Sequence, residues 1–520
     1  MGTILDIPAA RIQRGSAGRN SINELLDWFR ARDLVVSALA IDSRRVKPGD
    51  VFLAYPGEAS DGRRYIGEAL QNGAAAVLWD AEGFNWSGEI DFPQRPVAHL
   101  RQAAGALAHQ VYGRPSERLW TMGVTGTNGK TSCSHWLAQA CELAGAHTAV
   151  IGTLGTGFPG EPGGDATEVL VANPNTTPDP VSLHSMLAEL LREGGQGVAM
   201  EVSSIGLEQG RVNGVDFGAA LFTNLSRDHL DYHGDMETYA HAKQRLFLTP
   251  GLRHAVLNLD DVQGVQIARM LSGSGVNRVG YSCVDGVAGH AGLECFVQAH
   301  AIRNSSQGCE FTVTTSWGEA KVCSSLLGGF NVANLAGVLG TMLASGVPFD
   351  RAIAVIAKMQ PVVGRMQRFG GDGRPLVVVD YAHSPDSLEH TLDLLRDMAR
   401  AQGGKLAVVF GCGGERDRGK RALMGTVAAR HADRIVLSND NPRGEDPQAI
   451  IAEISAGINC AHERVADRRE AIARVVREAG CHDIVLVAGK GHEAYQEIGA
   501  SRIAFSDANE ARQALEAWGA

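Results

Sequence analysis

Positive charge is in short supply: 48 Lys and Arg face 58 Asp and Glu, a formal net charge of −10. That balance leaves no electrostatic footprint for nucleic acid or an anionic membrane. Any bound phosphate must be held by local donors and metal ions. Paired cysteines are missing as well. The nine Cys are odd in number and form no CxxC, which excludes a zinc ribbon or a disulfide framework and points to a reducing cytosol. No stretch approaches the ~18 apolar residues of a membrane span. The start, MGTILDIPAARIQRG, places Asp6 and Pro8 where a leader needs an apolar core, and it lacks the Ser or Thr of a myristoylation site. Charged residues are only 20% against 44% hydrophobic, which excludes disorder. The expectation is a soluble cytoplasmic enzyme.

Aromatics are only 6%, but glycine is plentiful, 63 in 520 residues. That suits the tight strand-to-helix turns of open α/β sheets, and the length suits about three domains. Short apolar runs at 34–41, 50–55, 74–79 and 96–100 read as strands, with helices at 62–72 and 101–112 and a linker at 113–117. A second α/β series has strands at 119–124, 148–151, 197–202, 219–224 and 255–259. From about 280 to 325 β-type residues dominate, as in an inserted antiparallel sheet; helices return at 334–345 and 349–359. The last third alternates strands at 376–381, 405–410, 434–438 and 483–488 with helices at 385–401, 421–432, 447–456 and 468–479. The predicted architecture is α/β with three domains, 1–115, 116–362 and 363–520. The central one is a P-loop-type ATPase with a mostly parallel sheet and a small antiparallel insertion, and the last is Rossmann-like. Ligands are expected at the carboxyl ends of the strands.

Val124-Thr125-Gly126-Thr127-Asn128-Gly129-Lys130-Thr131 follows a strand and opens a helix. Position 124 is Val, so GxxxxGK[ST] is not met, yet strand, glycine loop and helix together predict a phosphate cradle. Lys130 is expected to reach the β/γ oxygens and the Thr131 hydroxyl to ligate Mg²⁺.

GTNGKTS resembles the Mur ligase family, the ATP-dependent amide ligases of peptidoglycan precursor synthesis. The resemblance runs through Asn175-Thr176-Thr177-Pro178, Glu201-Val202-Ser203-Ser204, Asp228-His229-Leu230-Asp231-Tyr232-His233 and Lys243. It continues through Gly329-Phe330-Asn331-Val332-Ala333-Asn334, Gly364-Arg365-Met366, Asp380-Tyr381-Ala382-His383 and Gly489-Lys490-Gly491-His492-Glu493. Asp42-Ser43-Arg44 and Asp440-Asn441-Pro442-Arg443 narrow it to members that add meso-2,6-diaminopimelate to UDP-N-acetylmuramoyl-L-alanyl-D-glutamate.

The resemblance implies that ATP phosphorylates the D-Glu γ-carboxylate and that the amine of diaminopimelate attacks the acyl phosphate. Such transfer between anions is mostly positioning and charge neutralisation. It implies Gly126, Thr127, Asn128, Gly129, Lys130, Thr131 and Ser132 around the phosphates. Asn331, Asn334, Arg365, Asp380 and His383 take adenosine and hinge positions. Thr131, Glu201, His229 and Lys243 are the implied Mg²⁺ set, and His229 is the less expected member because hard cations prefer oxygen. A helical lysine is ordinarily a solvated surface group; the resemblance instead makes Lys243 carbamylated. Ile41, Ser43, Asn175, Thr176, Thr177, Ser203, Gln209 and Arg211 are implied for the nucleotide-sugar dipeptide. Where the family often has His-Gln-Ala, this chain has Glu58-Ala59-Ser60, an anion near the expected uridine site.

Diaminopimelate differs from lysine by one distal carboxylate, for which a planar guanidinium is the natural partner. The resemblance assigns it to Arg443 in Asp440-Asn441-Pro442-Arg443. It assigns the other carboxylate to Arg416 and the distal amino group to Glu493 with Gly489. No nucleic-acid or membrane partner is expected, and the chain is expected to be a monomer. The alternatives are a lysine- or alanine-adding Mur ligase, a folylpolyglutamate synthase-like ligase, or a nucleotide-gated P-loop switch without ligase activity.

Overall fold

The computed structural model describes residues 17–58, 60–86, 91–160, 162, 170–287, 292–305 and 307–519. The chain start, on which the leader and lipidation readings rest, and Ala59 lie outside these residues. The first sheet is four parallel strands in chain order: β1 (Leu39–Ala40), β2 (Val51–Ala54), β3 (Ala76–Asp80) and β4 (Gln94–Val97). β2 and the first four residues of β3 are apolar because both faces are covered, while the buried Asp80 that ends β3 accepts from the Leu100 N–H. Leu53 and Leu78 pack on Leu100 and Leu107, while Phe52 and Val77 pack on Ile66 and Ala69. The strand expected at 34–41 shrinks to two residues: Val35 is exposed, and only Leu39 and Ala40 pair with β2. The helix expected at 62–72 divides into a 3₁₀ turn, Gly62–Tyr65, and a short α-helix, Ile66–Gln71.

The central sheet has ten strands: β5 (Trp120–Thr125), β6 (Thr148–Gly152), β7 (Gly155–Gly157), β8 (Gly197–Glu201), β9 (Ala219–Phe222), β10 (His254–Asn258), β11 (Asn277–Ser282), β12 (Cys295–Ser305), β13 (Gly308–Thr315) and β14 (Gly318–Ser324). Their order is β14-β13-β12-β11-β10-β9-β5-β8-β6-β7. Every pairing from β6 to β12 is parallel; β7, β13 and β14 add antiparallel edges. The β-rich stretch after 280 is therefore no separate sheet but a continuation of this one. Helices Lys130–Leu143 and Gly329–Ala344 cover one face, and Pro180–Arg192 and Val262–Met270 the other. β5 lies between β8 and β9, so the loop after β5 opens at the point where the strand order reverses, where α/β sheets place ligands.

The third sheet comprises β15 (Gln367–Gly370), β16 (Leu376–Asp380), β17 (Leu406–Phe410), β18 (Arg434–Leu437), β19 (Glu463–Arg464) and β20 (Ile484–Ala488), ordered β15-β16-β20-β17-β18-β19. Only β15 is antiparallel. A hairpin of β21 (Tyr495–Ile498) and β22 (Ser501–Ala504) and the helix Asp507–Glu516 follow.

The first sheet's helix Leu100–Val111 packs on helix Pro180–Arg192 of the central unit. Contact is backbone to backbone: a Cβ added at Gly105 would stand 2.1 Å from the Asn213 carbonyl oxygen, and one at Gly214 would stand 2.8 Å from that of Gly105. A carbonyl fixed in a loop cannot yield by rotating. Gly105→Ala is therefore expected to lower stability by about 1–3 kcal/mol, the usual cost of overpacking. Thermal unfolding checks this: an unchanged melting temperature would mean the two units do not rest on this contact.

Candidate functional site

The carboxyl ends of the central and third sheets face one cleft of about 1630 Å³. On the central side the loop after β5 turns through Gly126 (φ 153°) and Gly129 (φ 85°) into helix Lys130–Leu143. Both glycines are needed for space. A Cβ at Gly126 would stand 1.8 Å from Thr223 Oγ1, and one at Gly129 2.6 Å from Asn334 Oδ1. The Thr127 N–H donates to the Asn224 carbonyl and the Asn128 N–H to Asn224 Oδ1, which fixes the loop against the end of β9. Lys130 Nζ donates to the carbonyls of Gly126 and Thr127, each at 2.9 Å. Burial lowers its pKa, against the opposing fields of Glu201 and Asp228.

Glu201 ends β8 beside this loop. Thr131 Oγ1 donates to Glu201 Oε2 at 2.9 Å, and the Thr153 N–H donates to Oε1 at 2.7 Å. Gly152 leaves room for that carboxylate, since a Cβ there would stand 2.3 Å from Oε1. Lys243, on helix Met236–Gln244, is not a surface lysine. It is 1% exposed, donates to the Gly126 carbonyl at 2.8 Å and lies 4.3 Å above the Tyr239 ring. Burial first, and the Lys130 charge second, hold its pKa well below the usual lysine range. The amine is thus biased toward its neutral, nucleophilic form.

His229 takes a left-handed conformation (φ 54°) ahead of the short helix Leu230–His233. Burial pushes its pKa down to about 4, so at neutral pH the imidazole is uncharged and able to ligate a cation. Its neighbour Asp228 lies 3.5 Å from His229 Nε2, 3.5 Å from His383 Nε2 and 3.9 Å from Lys420 Nζ. Burial raises the Asp228 pKa, but the His383 hydrogen bond and the nearby Lys420 ammonium oppose it and hold it below the carboxylate range. Thr131, Glu201 and His229 all line the cleft, and oxygen donors with an uncharged imidazole are ligand types that a divalent cation accepts.

Across the cleft, the third unit reaches into the phosphate loop. Arg365 Nη2 donates to Thr131 Oγ1 at 2.9 Å while its guanidinium stacks 4.3 Å from the Tyr381 ring. Asn128 Nδ2 donates to Asp386 Oδ2 at 3.0 Å. Arg365 thus points at the phosphate end of the cleft. Asp380 accepts from the N–H groups of Met366 and Ala382, and Asn331 Nδ2 donates to the Leu327 carbonyl.

Two loops of the third unit complete the cleft: 438–446 after β18 and 489–494 after β20. Lys490, fully buried, donates to Asn441 Oδ1 and Glu493 Oε2, each at 2.9 Å, and Asn441 Nδ2 donates to Glu493 Oε2 at 2.8 Å. Arg443 has φ 51°, uncommon outside glycine. The hairpin holds it there: its N–H donates to the Glu497 carbonyl, and its own carbonyl accepts from Gly499. Its Nε donates to Glu497 Oε2 at 3.1 Å and Nη1 to the Gly414 carbonyl at 2.8 Å. Arg416 lines the same cleft, with Nη1 3.2 Å from the Glu415 carbonyl.

The nucleotide-sugar candidates divide. Thr153 and Thr176 hydroxyls pair at 3.0 Å, Thr177 Oγ1 donates to the Glu201 carbonyl, and Arg211 Nη1 donates to the Thr177 carbonyl. Asn175, Thr176, Ser203 and Arg211 line the cleft. Ile41, Ser43, Thr177 and Gln209 do not, nor does the diaminopimelate candidate Pro442; Ser43 Oγ donates to Glu68 Oε2 at 2.5 Å within the first unit, and Gln209 Oε1 accepts from Arg211 Nε. Glu58 accepts from Arg101 Nη2 at 2.8 Å, so this anion has a cation beside it. Sequence reasoning gave no role to Asp228, Asp386, Lys420, Lys490 or Glu497. Lys490 and Asp228 stood inside motifs already singled out, whereas the Asp386 and Lys420 contacts depend on how two units meet.

Three Mur ligase profiles match successive parts of the chain: the Mur ligase family catalytic domain at 35–112, the middle domain at 124–342 and the glutamate ligase domain at 364–491. The UDP-N-acetylmuramoyl-L-alanyl-D-glutamate–2,6-diaminopimelate ligase of Chromobacterium violaceum is 49% identical over 507 residues, covering 96% of this chain and 99% of that protein. The ligase of the same name from Pseudomonas aeruginosa is 47% identical, covering 96% and 98%. A solved structure of a ligase so named is similar at a TM-score of 0.64 and 35% identity, over 93% of this chain and 95% of that one. The MurF ligase of Thermotoga maritima, solved with ADP, shares the fold at 0.59 and 19% identity, over 88% and 94%. On matches of this extent and identity, the chain belongs to the Mur ligase family.

Proposed function

We propose that this chain is an ATP-dependent ligase that joins meso-2,6-diaminopimelate to the D-Glu γ-carboxylate of UDP-N-acetylmuramoyl-L-alanyl-D-glutamate, in peptidoglycan precursor synthesis. The observation that carries this reading is one cleft holding both a phosphate loop, with Lys130, and a loop presenting Arg443. The proposed division of labour follows the three units. Residues 1–115 take the nucleotide part of the sugar substrate, with Ile41 and Ser43; 116–362 take ATP; 363–520 take the amino acid. The relatives' names support the substrate pair. Nine free thiols and the use of ATP support a cytoplasmic setting.

In this reading Lys130 and the loop amides hold the β/γ phosphates, and Asn175, Thr176, Ser203 and Arg211 orient the muramoyl dipeptide beside them. Mg²⁺, when bound, supplies charge neutralisation among the phosphates and the attacking carboxylate. Thr131, Glu201, His229 and carbamylated Lys243 are the residues that would hold it. The neutral Lys243 amine attacks CO₂, forms an N–C bond and sheds a proton, turning a potential cation into an anion. Arg416 and Arg443 grip the two carboxylates of diaminopimelate, and Glu493 with Gly489 and Asn441 takes its distal ammonium. Asp440 lines the loop behind them. That leaves the proximal amine to attack the acyl phosphate and expel phosphate.

Two outcomes are expected. Lys243→Ala should be nearly inactive, and short carboxylic acids such as formate or acetate should restore part of the turnover; no rescue at any concentration contradicts the carbamate. Arg443→Ala should lower kcat/KM for diaminopimelate by about two to three orders of magnitude, or about 3–4 kcal/mol, the scale of a partly buried charge pair. Lysine, which lacks the distal carboxylate, should be affected little. Assays with both amino acids decide it: equal loss for both means that Arg443 only shapes its loop.

A further inference from the structure

Beneath the two amino-acid loops lies an ion pair to which nothing above assigns a role in the reaction. Arg468, the first residue of helix Arg468–Glu478, and Asp507, the first of helix Asp507–Glu516, both have fully buried side chains. Arg468 Nε and Nη2 donate to the two Asp507 carboxylate oxygens, each at 2.8 Å. Nη2 also donates to the Ala488 carbonyl at 2.8 Å, and Nη1 reaches the Asn439 carbonyl at 3.4 Å.

These two carbonyls belong to different loops. Ala488 ends β20 and leads directly into Gly489–Glu493; Asn439 leads directly into Asp440–Arg443. β20 and β18 are not neighbours, because β17 lies between them. β17 pairs with both strands and holds their ends two strand spacings apart, roughly 9–10 Å. Lys490 and Glu493 tie the upper part of one loop to Asn441 of the other, but no ladder bond joins the two loops at their bases. The guanidinium spans that gap. The loops also converge above it: a Cβ at Gly489 (φ 118°) would stand 2.5 Å from Asp440 Oδ2 and 3.9 Å from Arg468 Nη2. Stability alone is a poor account of this pair, since well-packed apolar residues often replace buried ion pairs at no cost. A planar fork is needed where carboxylate and carbonyls must be met in fixed directions.

We propose that Arg468, held by Asp507, is a positioning residue that sets the separation of the two loops gripping the incoming amino acid. The inference rests on the proposed use of these loops for diaminopimelate. It makes the terminal helix part of amino-acid recognition, although that helix lines no part of the cleft.

The test is steady-state kinetics of full-length Asp507→Asn and Arg468→Lys with each of the three substrates varied, alongside thermal unfolding. KM for diaminopimelate should rise about tenfold or more, while KM for ATP and for the nucleotide-sugar stays within about twofold, and Asp507→Glu should recover part of the loss. A fall in kcat with all three KM values unchanged overturns the proposal and marks the pair as structural. Should the variants fail to fold, hydrogen exchange of wild-type enzyme with nucleotide-sugar and a non-hydrolysable ATP analogue decides it. Adding diaminopimelate should protect the starts of helices 468–478 and 507–516 together with both loops; protection of the loops alone overturns it. Wild-type enzyme that turns over no diaminopimelate contradicts the proposed function, whereas unchanged KM values in active variants contradict only the role of Arg468.

Discussion

A single backbone carbonyl, that of Gly126, accepts from two lysines, the half-buried Lys130 and the buried Lys243. Two ammonium ions sharing one acceptor repel, and burial adds to the cost of charging both, so the pair is biased against carrying two positive charges at once. Burial weighs on both, but only Lys243 has the other lysine as its second cause, and its shift is the deeper. Lys130 keeps Glu201 and Asp228 as counter-charges. The site thus treats two identical side chains differently, disfavouring the charged form more at Lys243 than at Lys130. The rest of the cleft follows from that division. In the proposed reading Lys130 is the phosphate-binding cation, and a carbamate on Lys243 would supply the negative charge that a bound Mg²⁺ calls for.

The same constraint explains how the third unit is joined to the central one. Asn128 to Asp386, Arg365 to Thr131, and Asp228 to His383 and Lys420 all cross between the two sheets within the phosphate region. Each crossing pairs a group of the nucleotide loop, or of the loop after β9, with one at the carboxyl edge of the third sheet. Reactants held on separate sheets can meet only when these edges face each other, since reacting atoms must approach to about 3–3.5 Å. The hairpin contributes from the other side, because Glu497 holds both the backbone and the guanidinium of Arg443.

Much of this was legible in the sequence because local patterns carry it. Glycine at 126 and 129 before Lys130, and apolar strands before each loop, gave the phosphate loop and its place at a strand end. The apolar alternation located most strands of the third sheet. What the sequence hid is non-local. Lys243 reads as a surface residue on a polar helix, since its burial comes from Tyr239 and a loop more than a hundred residues earlier. Val35 looked like part of a strand, but strand formation depends on a partner, and only Leu39 and Ala40 have one. The short turn Gly499-Ala500 between Tyr495–Ile498 and Ser501–Ala504 is a hairpin signal that went unread. Ser43 is the opposite case: it stands in a motif that reads as a substrate contact, yet its hydroxyl is engaged by Glu68 and lies off the main cleft.

The central claim is that the two-lysine site phosphorylates a carboxylate of one substrate so that the amine of another can displace phosphate. It is tested most directly with nucleotide-sugar dipeptide labelled with ¹⁸O in the D-Glu γ-carboxylate. The account predicts that phosphate is released in step with amide formation, that release requires both substrates, and that each phosphate carries one ¹⁸O from the carboxylate. Unlabelled phosphate, or steady release from ATP without the amino acid and the nucleotide-sugar, would contradict it.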